Sequence, residues 1–411
     1  MHQRVHHRLR FLHLASRPQR RARWIIGLAV LLCAAAANVF RALRYDYFLD
    51  LSIYRWGGIR AFDAGSLYAL IEPLSSLQFT YTPFAALLFA PLSHAGLLEA
   101  LPWTIASLLA LARMSWLVGR AAIEERQAAD APTPTRRRIA RAALLVFGLM
   151  LLLEPATETL RLGQVNFFLG WLIAEDVLGR QRPWRGVGIG IATAIKLTPA
   201  TFLVLLAVTH RLRAAAIGVA AFVLAGVIGF VALPQESRAF WSGAGFDAGR
   251  TGAVEYISNQ SINGMLWRLL GPGGSTAWWL GLSALCAAVG IWAARRAWRR
   301  GARNLALGVT GLVGCLVSPV SWTHHWVLVL PLLIGLWSVP RRRWLARLAV
   351  VVSFVLLGSR LLWRLPSNNG LEFHASGLDA VAGNSYVLLG FVLLAIAASV
   401  EGRGSSAPKS P

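Results

Sequence analysis

Runs of about 20 apolar positions, the length needed to cross a bilayer as a helix, recur along this 411-residue chain with short polar segments between them. The first extends from Trp24 to Phe40, between an arginine-rich leader and Arg41 and Arg44. Basic connections follow at Arg120 to Arg141, Arg180 to Arg185, His210 to Arg213, Arg295 to Arg303 and Arg341 to Arg347. Less basic loops lie between them at roughly 41–80, 155–165, 235–275, 318–325 and 364–382. Such alternation predicts a chain threaded repeatedly through a membrane, with the basic side and the N-terminus cytoplasmic. The expectation is an all-α polytopic membrane protein of about 10–12 spans, counting short or broken helices. It divides into a basic segment at 1–23, one transmembrane domain at 24–399 and a Ser/Pro/Gly-rich tail at 400–411.

Two places interrupt the pattern. Between the outer loop ending near Thr80 and the basic loop from Arg120, two hydrophobic pieces, Pro83 to Leu92 and Leu97 to Val118, are separated by Ser93-His94-Ala95-Gly96. Either the first piece is re-entrant or broken, or the loop breaks the charge rule. The run from Gly186 to Val208 also inverts every later loop if it is a single span. Splitting it at Lys196-Leu197-Thr198-Pro199 restores the alternation, because proline cannot continue a helix without losing a backbone hydrogen bond. Lys196 then sits at an outward-facing turn, as a snorkelling lysine or as a phosphate contact.

Composition agrees with the hydrophobic pattern. Apolar residues make up 56% of the chain and charged ones 14%, with mean hydropathy +0.55. A net charge of +23 could suggest nucleic acid, but the charge is spread over segments between spans and no basic face interleaved with aromatics is present. The leader holds seven arginines and four histidines and lacks a clear small-residue cleavage site, so it reads as the flank of a retained span. Cys33, Cys286 and Cys315 all lie in apolar spans at unrelated spacings, which points to neither disulfides nor zinc.

Polar residues collect on the non-basic side. Asp50 follows the first span in the run Tyr45 to Tyr54, and a carboxylate at the mouth of a bundle is costly unless it serves a function. Further islands are Glu158 to Asn166, Tyr256 to Ser261, and Ser318 to Trp326 with the His324-His325 pair. Gln164 and Asn166 are candidates for interhelical hydrogen bonds or for ligand contacts. Asn259 and Gln260 are ordinary turn residues or ligand contacts, and the histidines belong to an aromatic belt or to a site. Adjacent histidines on a helix point about 100° apart, and Asp46 and Asp50 form no DxD motif, so no metal or other cofactor is expected. A carboxylate with a Lys/Arg/His cluster suits glycosyl transfer from a lipid phosphate. One group takes the acceptor proton, cations stabilise the departing phosphate, and a single inverting displacement needs no second carboxylate.

The run Asp50-Leu51-Ser52-Ile53-Tyr54, then Gly65-Ser66-Leu67-Tyr68 and Phe79 to Leu88, resembles the amino-terminal signature of glycosyltransferase family 87. These are the polyprenol-phosphate-mannose-dependent α-mannosyltransferases of actinobacterial envelopes. The resemblance continues through Glu154-Pro155, Gly163 to Asn166, Ala194 to Pro199, Asn259-Gln260-Ser261 and Ser318 to His325, about two thirds of the chain. Thr82 departs from it, standing where the family often has a second proline.

The resemblance implies a GT-C-type helical bundle in the cell membrane with an extracytoplasmic site, a polyprenyl-phosphate sugar as donor and a lipid or glycan as acceptor. By position, Asp50 would be the general base, Lys196 and His324 or His325 would hold the donor phosphate, and Tyr54, Gln164, Asn166, Asn259 and Gln260 would contact substrate. Arabinose or glucose in place of mannose remains an alternative donor sugar. A lipid-linked sugar transporter is the rival from another class, disfavoured because no internal repeat matches the Lys196 break.

Overall fold

The computed structural model describes residues 17–43, 48–63, 67–73, 75–94, 100–127, 132–272, 276–339 and 344–400. Asp46, Gly65-Ser66, the Ala95-Gly96 break, most of the basic leader and the tail from Glu401 lie outside the described residues. The described residues form helices joined by turns, with no β-strand among them and two isolated bridges, Ile71 with Gln78 and Asn259 with Trp322.

The chain begins with α1 (Arg17–Leu43), longer than the apolar run inside it, and continues with α2 (Leu49–Arg60), which carries Asp50 in its first turn. α3 (Pro83–Phe89) runs into a 3-10 turn, Ala90–His94. Together they rise only about 20 Å, short of the roughly 30 Å of a hydrocarbon core. The first hydrophobic piece after Thr80 is therefore a short inserted element, packed against α2 and, further on in the chain, the helices at 187–195 and 212–232. α4 (Ala100–Glu124) is the full-length span of this region and packs against α5 (Arg136–Leu151).

α5 turns through 75° into α6 (Glu154–Leu162), which begins with Pro155 in its first turn. α7 (Asn166–Leu178) follows at once and packs on α4. The split expected at Lys196 is present: α8 (Val187–Ile195) ends there, Lys196 is extended, and α9 (Ala200–Val208) starts just after Pro199. α10 (Leu212–Ala232) turns a stripe of small residues inward, Ala214, Gly218, Ala225 and Gly229, packing on α8 around Gly218 and on α3 at Gly229, while its larger side chains face outward.

The outer segment after α10 holds α11 (Pro234–Ala239) and α12 (Ile262–Leu270). α13 (Thr276–Arg299), α14 (Arg303–Val317) and α15 (Val329–Trp337) form a tightly packed antiparallel set, and α16 (Trp344–Gly358), α17 (Gly377–Gly383) and α18 (Ser385–Ser399) close the bundle. α4, α10 and α13 are each long and apolar enough to cross a membrane, and α5 with α6 and α17 with α18 qualify as bent spans. Shorter apolar helical stretches, Ile25–Phe40, Arg303–Val317, Thr323–Trp337 and Trp344–Gly358, fill the other hydrophobic runs. The chain is thus an all-α polytopic membrane protein.

Thr82 shows why a second proline is dispensable before α3. Its hydroxyl accepts from Ala85 N at 3.1 Å, capping the helix, and donates to the Ala194 carbonyl at the end of α8. Proline could form neither bond.

Candidate active site

A cavity of about 1020 Å³ opens where α2, α6, the Lys196 break and the 318–326 loop converge. Its wall includes Asp50, Tyr81, Glu158, Arg161, Gln164, Lys196, His324 and His325. The site is built by local backbone decisions. α6 ends at Gly163 in the left-handed conformation (φ 68°), and a Cβ there would stand 2.8 Å from the Leu51 side chain. Glycine at this position therefore lets the start of α2, with Asp50, rest directly on the α6 terminus, and Gln164 comes next in the chain.

Gln164 is held by two phenols. Its Oε1 accepts from Tyr54 at 2.9 Å and Tyr81 at 3.3 Å, the two hydroxyls lie 2.9 Å apart, and Val165 N donates to Tyr54 Oη at 3.2 Å. Asp50 lies beside this node with Oδ2 shielded from solvent and without a hydrogen-bond partner. Burial lifts its carboxyl from the ordinary carboxylate range to about 7, although Lys196, the Gln164 amide and Arg161 each pull it back down. Across the cavity, Lys196 Nζ is 2.7 Å from His325 Nε2, a spacing at which the ammonium donates to an unprotonated imidazole, and 5.5 Å from the Tyr81 ring centre. His324 is buried at 5% exposure, its Nε2 has no partner, and its ring meets that of His325 edge to face at 4.7 Å.

Five residues singled out from sequence, Asp50, Gln164, Lys196, His324 and His325, share this cavity. The other four stand behind its wall. Tyr54 is fully buried as the clamp on Gln164. Asn166 lies on a small adjoining cavity of about 70 Å³ that shares Lys196 and His325 with the large one, and its Nδ2 donates to the His324 carbonyl at 2.7 Å. Asn259 accepts from Ser321 N at 2.9 Å and donates to the Val254 carbonyl at 2.8 Å. Gln260 donates to Ile257 and Gly383 carbonyls, each at 2.7 Å, and accepts from Tyr386 N at 3.1 Å. Asn259 is thus spent on fixing the 318–326 loop, and Gln260 on tying its own turn to the 383–386 corner.

Sequence reasoning passed over the carboxylates of α6 as functional candidates. Glu158 takes Arg161 Nε on one oxygen at 2.7 Å and Arg360 Nη2 on the other at 2.5 Å. Glu154, 1% exposed, accepts from Trp363 Nε1 at 2.8 Å. Glu154 lies in the Glu154-Pro155 motif and Glu158 opens a polar island, so their position among apolar residues was a usable signal. Arg360 and Trp363 are about 200 residues away and gave none. Among the described residues no group of three or more His, Cys, Asp or Glu side chains is placed to hold a metal ion.

The sequence profile of Glycosyltransferase family 87 matches residues 79–319. Curated relatives align over most of the chain. A polyprenol-phosphate-mannose-dependent alpha-(1-2)-phosphatidylinositol mannoside mannosyltransferase of Mycobacterium tuberculosis is 33% identical, covering 93% of this chain and 92% of the relative. The protein of the same description from Mycolicibacterium smegmatis is 32% identical over 86% and 84%. A corresponding phosphatidylinositol pentamannoside mannosyltransferase of M. tuberculosis is 34% identical over 80% and 75%.

Proposed function

The chain belongs to glycosyltransferase family 87, and from that membership we propose that it moves mannose from polyprenyl-phosphate mannose to a hydroxyl of a mannosylated lipid such as a phosphatidylinositol mannoside. The reaction takes place on the extracytoplasmic face, with the N-terminus on the cytoplasmic side. The observation that carries the reading is the pairing, within one cavity, of an unpartnered buried carboxylate oxygen on Asp50 with the Lys196 and His325 cluster.

In the proposed step Asp50 takes the proton of the acceptor hydroxyl as its oxygen bonds to the anomeric carbon. The bond from that carbon to the phosphate oxygen breaks on the opposite side, and polyprenyl phosphate leaves with the electron pair. The leaving phosphate gains a negative charge, which Lys196 offsets, with His325 fixing the ammonium and His324 Nε2 supplying a further polar contact. Gln164, aligned by Tyr54 and Tyr81, orients a sugar hydroxyl. Tyr54, Asn166, Asn259 and Gln260 act as positioning residues behind the wall.

The test is transfer of label from radiolabelled polyprenyl-phosphate mannose to a lipid acceptor fraction by membranes containing wild type or Asp50→Asn. Wild type should transfer, and the variant should lose about 10²- to 10⁴-fold in rate at unchanged expression. Near-normal transfer by Asp50→Asn would remove Asp50 from the mechanism. Because the base must be ionised and burial lifts its carboxyl to about 7, the rate should fall about tenfold per unit below that pH, and it should fall again above about 8, to which burial lowers the Lys196 ammonium.

A further inference from the structure

Among the aromatic side chains of the cavity wall, three from separate segments meet in one group, Tyr256, Trp322 and Trp363. Each is only partly buried. Their rings are tilted with respect to one another, not stacked: Tyr256 to Trp322 is 6.0 Å at 66°, and Tyr256 to Trp363 is 6.5 Å at 56°. No two of these rings lie face to face, so each pair covers at most one face with its neighbour's edge. An interfacial aromatic belt would turn its indole N–H toward headgroups, whereas the Trp363 N–H is pinned inward on buried Glu154. Trp322 is likewise fixed, through the bridge between its backbone and Asn259.

Polar partners lie next to these faces. Arg161 and Glu158 line the same wall, Asn368 stands at its edge, and the Tyr256 ring lies within electrostatic reach of Arg161, Glu372 and Glu158. Arg161 is also close enough to Asp50 to influence its charge, which puts the aromatic patch one residue from the reacting carboxylate. Flat aromatic faces beside hydrogen-bonding groups suit a hexopyranose, whose C–H face is apolar and whose rim is hydroxylated. A prenyl chain would use the rings but not the rim of charges and amide.

We propose that Tyr256, Trp322 and Trp363 form an acceptor subsite that stacks against the saccharide ring next to the one bearing the attacking hydroxyl. The proposal rests on the transferase reading above and makes the enzyme selective for acceptors with at least two sugar rings.

The test uses the full chain in lipid nanodiscs with labelled polyprenyl-phosphate mannose and two soluble acceptors, an alkyl mannoside of one ring and an alkyl dimannoside of two. Wild type should show a KM for the two-ring acceptor about five- to tenfold below that for the one-ring acceptor, the worth of one aromatic contact. Tyr256→Ala and Trp322→Ala should each raise the two-ring KM to the one-ring level while the donor KM stays fixed. Tyr256→Phe and Trp322→Phe, which keep a ring, should retain most of the preference. The subsite is overturned if wild type transfers with equal KM for both acceptors, or if the alanine variants raise both acceptor KM values together. It is also overturned if they raise the donor KM, which would make the patch a seat for the prenyl chain. No transfer by wild type to either acceptor strikes down the transferase reading itself, a result distinct from all three.

Discussion

Helices α6 and α10 are built inside out with respect to each other. α10 is the most apolar long helix, with mean hydropathy 2.5, yet its bulky side chains Val223, Leu224, Val227 and Val231 are exposed at 52, 61, 52 and 77%, and only small residues point inward. α6 carries Glu154, Thr157, Glu158 and Thr159, and all four are 1% exposed or less. In lipid, hydrophobicity marks what faces outward, and the interior of the bundle is where polar groups can be satisfied. α6 satisfies most of its own: Thr159 donates to the Pro155 carbonyl at 2.7 Å, and Glu158 is held between two guanidiniums, while one Glu154 oxygen has no hydrogen-bond partner.

Removing the charge that α6 buries is the most direct way to break this contrast. Glu158→Ala should lower stability by about 3–5 kcal/mol, because Arg161 and Arg360 lose the carboxylate they share. Thermal unfolding in detergent, followed by size exclusion, measures it, and an unchanged midpoint would mean that the two ion pairs contribute nothing net. Lys196→Ala acts at the other pole of the cavity. Loss of a charge-assisted contact of about 1.5–3 kcal/mol predicts a donor KM about 10- to 100-fold higher, and an unaltered donor KM would return this lysine to a purely structural role.

On α10 the contrast can be tested between neighbours. Ala225→Leu, at 4% exposure, should cost about 1–3 kcal/mol by overpacking the inward stripe. Leu224→Ala, at 61%, should change stability by less than about 0.5 kcal/mol. Equal effects at the two positions would mean that the helix does not present these faces as described.

The same contrast explains what could be read from the sequence. Hydrophobic runs located the spans, and a proline beside a lysine located the break between α8 and α9, since both signals are local. The polar islands located the cavity, because a polar residue in such a bundle has few other places to be. Which island residues face the cavity was not legible. Gln164 and Asn166 are two positions apart, but one lines the large cavity and the other ties down the His324 carbonyl, a difference set by the turn at Gly163 and by a loop more than 150 residues away. Asn259 and Gln260 read either as turn residues or, by the family resemblance, as ligand contacts, while their hydrogen bonds are committed to Ser321, Gly383 and Tyr386. The part played by Trp363 and Arg360 depends on pairings with no sequence spacing to betray them.

The clasp of Arg360 on Glu158 ties together residues 202 positions apart, and it has a consequence for biogenesis. A nascent chain that has emerged as far as His325 already holds Asp50, Gln164, Lys196 and both histidines, but Glu158 still has only one of its two guanidiniums and Glu154 lacks its indole. The bonds that brace this cavity wall are therefore complete only after α16 has been inserted and the chain has turned back over α6. Maturation of the site is deferred to the last stages of membrane insertion, because the ion pair that completes it spans 202 positions.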